Sequence, residues 1–240
     1  MLSYSQLKEN RREFLAATGL YPEEFERLLP EFKGKYAART TPSQTKEGKP
    51  RQRKMGGGMK GKLQADEDKL VFILVYQKTY PLQTMHGLQF DLSQPQANYW
   101  IHELLPVLQE SLAKMGMKPE RDASKVEKSP LMQETAADLM IDGTERRRQR
   151  PKDAQKQEEH YSGKKKTHTD KNLVLVSNQS KKVLYLSPTV GGQTHDKRMA
   201  DENPIHYPPG ATLGKDTGFQ GYEPAGVITY QPKKSRRARN

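Results

Sequence analysis

The fold of this chain is decided by the stretch Ala136-Ala137-Asp138-Leu139-Met140-Ile141-Asp142-Gly143-Thr144-Glu145. Its apolar run ends on an acid, a glycine and a threonine, which predicts a buried strand that delivers Asp142 to the edge of a sheet. A second acid, Asp216, stands in a similar setting within Ala211-Thr212-Leu213-Gly214-Lys215-Asp216-Thr217-Gly218. Two strand-end acids in a strongly basic chain predict a metal site that acts on nucleic-acid phosphates. The alternative is a pair of unrelated surface acids at strand ends.

The composition favours a polyanionic partner. The 240 residues carry a net charge of +12 and only 33% hydrophobic residues, so we expect modest cores and long solvated segments. Each phosphate that a basic side chain neutralises releases counterions, which drives nucleic-acid binding; a basic protein without such a partner is the alternative. The basic residues cluster at 146–150, 164–166 and 233–239.

The chain has no cysteine, which excludes thiolate nucleophiles, cysteine-bound zinc and disulfides. It also lacks a signal-peptide core and any run that approaches the ~18 apolar residues of a membrane span. From these absences we expect a soluble, intracellular protein that does not interact with a membrane.

Composition and periodicity divide the chain into five parts. We expect an N-terminal helical segment over residues 1–40, a basic linker over 41–62, a helix-turn-helix domain over 63–115, a linker over 116–135 and an α/β domain over 136–240. Within the first linker, Gly56-Gly57-Gly58-Met59-Lys60-Gly61-Lys62 matches most of a phosphate-binding loop. The hydroxyl residue that should follow the lysine is missing and no strand precedes the motif, so a linker is the better prediction.

Residues 66–114 show the pattern of a helix-turn-helix. A helix from Asp66 ends before Pro81, a short helix follows over residues 83–90, and Asp91 can take the left-handed turn position. Ser93 should cap the third helix, which Pro106 should bend or restart. Amide and imidazole side chains on its outer face can read bases in the major groove, and an ordinary helical hairpin is the alternative. The candidate DNA-reading residues are Gln94, Gln96, Asn98, Tyr99 and His102.

The second half of the chain reads as strand, strand, strand, helix, strand. Thr194 can cap the short helix that carries His195 and Asp196. Acids on the first and last strands of this order are typical of a ribonuclease H-like core, in which those two strands pair. Such acids can hold Mg²⁺, or Mn²⁺ in its place, and a pair of ions promotes in-line phosphoryl displacement. The residues that should flank the DNA backbone are Arg146, Arg147, Arg148, Lys164, Lys165 and Lys166.

Several motifs resemble those of a bacterial insertion-sequence transposase family with an N-terminal helix-turn-helix and a DDE endonuclease domain. The resemblance covers most of residues 60–225. It implies that Asp142 and Asp216 are the first two metal-binding acids, and it gives His195 and Asp196 no chemical step. The matching stretches are Leu74-Val75-Tyr76-Gln77-Lys78-Thr79-Tyr80-Pro81-Leu82-Gln83, Ser93-Gln94, Trp100-Ile101-His102, Ile141-Asp142-Gly143-Thr144-Glu145, Tyr161-Ser162-Gly163-Lys164-Lys165-Lys166, Gly192-Gln193-Thr194-His195-Asp196 and Asp216-Thr217-Gly218-Phe219-Gln220-Gly221.

One departure from the family pattern concerns the third acid. The family carries a glutamate on a helix some tens of residues beyond the second aspartate, whereas this chain has only 24 residues after Asp216. Glu223 lies too close and in a loop, so it does not replace that glutamate. The resemblance therefore implies a C-terminally truncated, catalytically impaired protein, or the first part of an interrupted reading frame.

Three functions remain open. The leading one is an insertion-sequence transposase that binds terminal inverted repeats and target DNA, assembles as a homo-oligomer on double-stranded DNA and acts in the prokaryotic cytoplasm at the nucleoid. The second is a DNA-binding remnant or regulator that occupies the element ends without cutting. The third is a basic interaction protein for RNA.

Overall fold

The computed structural model describes residues 1–39, 49, 50, 52, 61–133 and 137–232. The chain forms two compact units, Met1–Met115 and Gly116–Asn240. Most of the predicted basic linker lies outside the described residues, as do most of its glycine-rich motif and the C-terminal basic cluster at 233–239.

The described part of the first unit is helical. A core of aromatic and aliphatic side chains joins its N-terminal helices to the predicted helix-turn-helix. Its helices are α1 (Tyr4–Leu7), α2 (Arg11–Thr18), α3 (Pro22–Arg39), α4 (Asp66–Thr79), α5 (Gln83–Gln89) and α6 (Gln94–Lys114).

Helix α4 is the centre of this unit. Every residue from Lys69 to Tyr76 is buried, so the helix is surrounded, as expected for one that is apolar on all sides. The Lys69 ammonium is satisfied inside the unit because it donates to the Gln64 carbonyl at 2.7 Å and to Asp66 Oδ1 at 2.8 Å.

The turn between α5 and α6 follows the local chemistry of the sequence. Asp91 adopts the left-handed conformation with φ of 55°, as predicted. Ser93 and Gln96 form a capping box at the start of α6, each side chain satisfying the other's backbone N–H. Helix α6 continues through Pro106, where a bend or restart was predicted. Buried Leu104 and Val107 flank the proline, and their packing offsets the missing backbone hydrogen bond.

The described part of the second unit is a mixed sheet with short helices. Its strands are β1 (Asp138–Arg147), β2 (Tyr161–Ser162), β3 (Thr167–Ser177), β4 (Val183–Leu186), β5 (Val190–Gly191), β6 (Thr212–Lys215) and β7 (Ile228–Tyr230). Its α-helices are α7 (Pro130–Gln133), α8 (Ala154–His160) and α9 (Asp196–Glu202), and 3-10 helices span Ala123–Lys128 and Thr217–Phe219.

The sheet has the order β2-β3-β1-β6-β7, with β4 and β5 also pairing with β3. Strand β1 runs antiparallel to β3 and parallel to β6, and β6 runs parallel to β7. The expected fold class is confirmed: a helical N-terminal region precedes a mixed α/β domain in which the two acid-bearing strands pair.

The Asp138 side chain ties three strands together at the start of β1. Its Oδ1 accepts from Asn178 Nδ2, from Thr212 Oγ1 and from the Tyr230 hydroxyl at 3.2, 3.0 and 3.3 Å. These hydrogen bonds, led by that of Asn178, hold the pKa of the Asp138 carboxyl below its usual range. This end of the sheet therefore has a defined register.

The described part of the segment 116–135, for which composition predicts a linker, packs into the core of the second unit. Val126, Leu131 and Met132 are buried there. The Glu120 backbone also exchanges hydrogen bonds with Leu184 and Leu186 on β4. A few apolar side chains in a polar stretch suffice for this packing because the sheet supplies the complementary apolar face.

Candidate functional site

Parallel pairing of β1 and β6 sets the positions of the two candidate catalytic acids. The last paired residues are Ile141 on β1 and Lys215 on β6, and Asp142 and Asp216 are the next residues on the two chains. Ile141 and Leu213 anchor the strands in the core because both are almost fully buried. Burial of the apolar run therefore places both acids side by side where the pairing of β1 with β6 ends. The expected end of the strand at Asp142 was wrong, because pairing with β3 carries β1 on to Arg147.

Each acid is oriented by the backbone of a nearby glycine. Asp142 Oδ1 accepts from the Gly143 N–H at 2.7 Å, and Asp216 Oδ1 accepts from the Gly218 N–H at 2.8 Å. Both carboxylates are exposed. The site thus presents oriented carboxylate oxygens to solvent.

Asp142 and Asp216 line the same cleft. This cleft also contains residues that were not assigned to the site from sequence, among them Glu145 and Lys171, and it contains Asp196, for which no chemical step was assigned. The complete lining is Asp142, Gly143, Thr144, Glu145, Lys164, Lys165, Lys171, Asp196 and Asp216.

His195 is the N-cap of α9, a role predicted for Thr194. Its Nδ1 accepts from the Lys197 N–H at 3.3 Å. The prediction erred by one residue because an imidazole can serve as the cap acceptor in place of a hydroxyl. Asp196 is the first residue of the helix, and its side chain points into the cleft.

The donor set is compatible with a partly hydrated magnesium ion. Mg²⁺ prefers oxygen ligands and is commonly held by one or two carboxylates, waters and substrate phosphates. Asp142 and Asp216 supply two such carboxylates at one edge. Within the described ranges, no group of three or more histidine, aspartate or glutamate side chains is arranged to hold a metal ion.

The residues predicted to bind the DNA backbone come from the β2–β3 turn and from the end of β1. Lys164 and Lys165 lie in the β2–β3 turn, are exposed and line the cleft, and Lys166 follows them in that turn. Arg146 and Arg147 form the exposed end of β1. Arg148 is exposed too, but it already has partners within the chain, since its guanidinium donates to Asp170 Oδ1 at 2.8 Å and contacts the His160 ring at 3.1 Å.

The outer face of α6 carries an amide network that was not foreseen from the sequence. Gln83 Oε1, at the start of α5, accepts from Gln94 Nε2 at 2.6 Å and from Asn98 Nδ2 at 3.2 Å. Tyr99 and His102 are exposed on the same helix. Gln96 was expected to read bases, but its carbonyl oxygen accepts the Ser93 N–H of the capping box, so this oxygen is already used at the helix start.

The comparisons with known proteins match the two units separately. Residues 61–114 match the family model described as helix-turn-helix of DDE superfamily endonuclease. Residues 141–240 match the family model described as DDE superfamily endonuclease. Neither a curated protein nor a solved structure matches the chain.

The matched segments contain the structural features described above. The first holds α4, α5 and α6 with the capped turn, and the second holds β1 from Ile141 onward and the strand that ends before Asp216. The fold, the neighbouring positions of the two acids and both family matches agree. Residues 141–240 are a DDE superfamily endonuclease domain, and the helix-turn-helix of that superfamily precedes it at residues 61–114, as in a transposase of this superfamily.

Proposed function

We propose that this protein is the transposase of an insertion sequence, which binds terminal inverted repeats and cleaves and joins DNA at the Asp142–Asp216 cleft. The observation that carries the proposal is the β1–β6 pairing, which brings two acids 74 residues apart in sequence side by side where that pairing ends. The DDE endonuclease match supports this chemistry at the level of the family.

Asp142 and Asp216 would hold Mg²⁺ or Mn²⁺, with their oxygens oriented by Gly143 and Gly218. When bound, such a cation supplies the positive charge that in-line displacement at a phosphate needs. Lys164 and Lys165 bind the phosphate backbone at the mouth of the cleft. The attacking group is first water and then a DNA 3′-hydroxyl.

Helix α6 recognises the DNA sequence. Gln94, Asn98, Tyr99 and His102 meet base edges, and residues near the helix start reach deepest in this docking mode. Gln96 contributes through the cap that fixes the helix start. The exposed arginines and lysines of the endonuclease domain add salt-dependent affinity. We place this activity at the prokaryotic nucleoid, in a homo-oligomer on DNA. No described helix is long and apolar enough to cross a membrane.

The test is Mg²⁺-dependent nicking of DNA that carries the inverted repeats of the element. Asp142→Asn should abolish nicking while leaving binding in a gel shift unchanged. Asp201→Asn is the matched control, because Asp201 is exposed on α9 and pairs only with Lys197 among the described ion pairs. If the parent nicks this DNA and Asp142→Asn nicks it equally well, the site assignment is refuted.

A second function is favoured by one observation. The described residues contain no group of three acidic or histidine side chains that could hold a metal together. A protein that occupies element ends without cutting them would need only its helix-turn-helix. Specific binding of the inverted repeat with no nicking by the 240-residue chain would support this regulator. Equal affinity for RNA and for unrelated DNA would contradict both functions.

A further inference from the structure

A buried lysine stands beside the two candidate metal-binding acids. Lys171 is 8% exposed, and its Nζ lies 3.0 Å from Asp196 Oδ1 and 3.5 Å from Glu145 Oε1. The ammonium also donates to the Thr194 carbonyl at 2.9 Å. Lys171 on β3 is the register partner of Glu145 on β1, so both side chains project from the same face of the sheet.

Asp196 occupies a notch between strand β1 at Gly143 and the 3-10 helix that follows Asp216. A Cβ added at Gly143 would overlap Asp196 Oδ1. A Cβ added at Gly218 would lie 2.8 Å from Asp196 Oδ2 and 3.0 Å from Asp216 Oδ1. Glycine at both positions therefore makes room for the Asp196 carboxylate, which fills the space between β1 and the 3-10 helix.

The Asp196 carboxylate is held in place mainly by electrostatic attraction to Lys171. Asp196 Oδ1 is buried and, within the described structure, accepts no hydrogen bond of good geometry, although the Lys171 ammonium is within ion-pair distance. Glu145 Oε2 is buried without a described partner as well. Removal of the lysine would leave two carboxylates uncompensated in a place with little water, which is strongly unfavourable.

We propose that Lys171 and Asp196 are positioning residues: the ammonium locks the Asp196 carboxylate between Gly143 and Gly218, and this lock sets the separation of Asp142 and Asp216. The inference rests on the proposed function, because it concerns the geometry of the same site. Neither residue needs to touch the cation. Groups that orient metal ligands in this way commonly change metal affinity by about 10- to 100-fold when they are removed.

The direction in which Lys171→Met changes the affinity for a divalent cation shows whether Lys171 acts by positioning Asp196 or only as a nearby positive charge. If Lys171 acted only as a nearby positive charge, Lys171→Met would tighten the binding of a divalent cation by removing repulsion. If it acts through Asp196, the same substitution weakens binding by about tenfold. The measurement is Mn²⁺ binding to the full chain by electron paramagnetic resonance, without DNA. Arg198→Met, which removes an exposed partner of Glu202 on α9, is the control and should bind Mn²⁺ like the parent.

Substitutions at Asp196 show whether its side chain fills the notch or binds the cation directly. Asp196→Asn keeps the shape that fills the notch and keeps an oxygen that can accept from the Lys171 ammonium. It should therefore bind Mn²⁺ within about threefold of the parent, whereas Asp196→Ala should lose about tenfold. Equal loss in the two variants would overturn the proposal, because it would identify the carboxylate itself as a ligand. Unchanged or tighter binding by Lys171→Met would also overturn it.

The notch can be tested independently of any metal. Gly143→Ala should lower the melting temperature of the parent, and the decrease should shrink when Asp196→Ala has already emptied the notch. Additive effects of the two changes would overturn the inference and leave the proposed function standing. If the parent binds no Mn²⁺ at all, both fall. If Asp142→Asn abolishes binding and Lys171→Met does not weaken it, the inference alone falls.

Discussion

The buried His86 of α5 should make the helix-turn-helix sensitive to acid. Its side chain is 0% exposed, and ring centroids of Phe72, Phe90 and Tyr76 lie 4.3, 5.1 and 5.3 Å away. Neither ring nitrogen makes a hydrogen bond of good geometry within the described structure. Burial lowers the pKa of His86 from 6.5 to about 4, and contacts with the Phe72 backbone and the Gln89 side chain oppose this shift only in part.

The direction of the pH effect follows from where the proton binds. Above pH 6.5 the imidazole is neutral in both the folded and the unfolded state, so His86 adds no pH dependence. As the pH falls from 6.5 to about 4, His86 becomes protonated in the unfolded chain but stays neutral in the folded chain. The free energy of unfolding therefore decreases. At about 1.4 kcal/mol per pKa unit, the full loss is about 3 kcal/mol.

The chain offers a selective probe for this measurement. Trp100 is its single tryptophan, and it packs against the core that contains α4. Urea unfolding followed by Trp100 fluorescence therefore reports on the first unit. Between pH 7.5 and pH 4.5 the parent should lose about 2–3 kcal/mol more than His86→Leu, which keeps an apolar group of similar size and cannot be protonated. Equal losses in parent and variant would refute the assignment of a neutral, buried imidazole.

Three further predictions concern local features of the two units. Ser93→Ala removes the hydroxyl that accepts the Gln96 N–H and should cost about 1 kcal/mol in urea unfolding. Gly87→Ala places a Cβ 2.6 Å from the Leu92 carbonyl oxygen, so the turn must open; we expect a destabilisation of about 2 kcal/mol and a weaker gel shift. Lys165→Gln should weaken binding to all DNA sequences alike and reduce the salt-dependence slope by about 1, measured by fluorescence anisotropy; an unchanged slope would remove Lys165 from the interface.

Local signals predicted the parts of this protein that depend on neighbouring residues. Ser93 marks a helix start because its hydroxyl reaches a backbone N–H three residues on, and Asp91 marks a turn because aspartate tolerates a positive φ. The apolar run that ends at Asp142 indicates a buried strand for the same kind of reason. Each of these features is determined by residues only a few positions apart in the sequence.

Features that depend on contacts between residues remote in sequence were missed or misjudged. The polar segment 116–135 looked like a linker because the few apolar residues of its described part find their complement only in the sheet. Gln83 gave no sign of binding Gln94 and Asn98, since those contacts arise when α5 crosses α6. Pro106 does not end its helix because the packing around it outweighs its local preference.

Residue types and their local patterns identified the groups that could carry the chemistry: two aspartates that follow apolar runs, basic clusters near them and an amide-rich helix. The arrangement of these groups in space came from the folded domain. It placed Asp142 beside Asp216 through β1–β6 pairing, and it brought Lys171 and Asp196 into the same cleft. The physical reason is that side-chain chemistry is encoded residue by residue, whereas distances between remote residues are set by strand register and core packing over the whole domain.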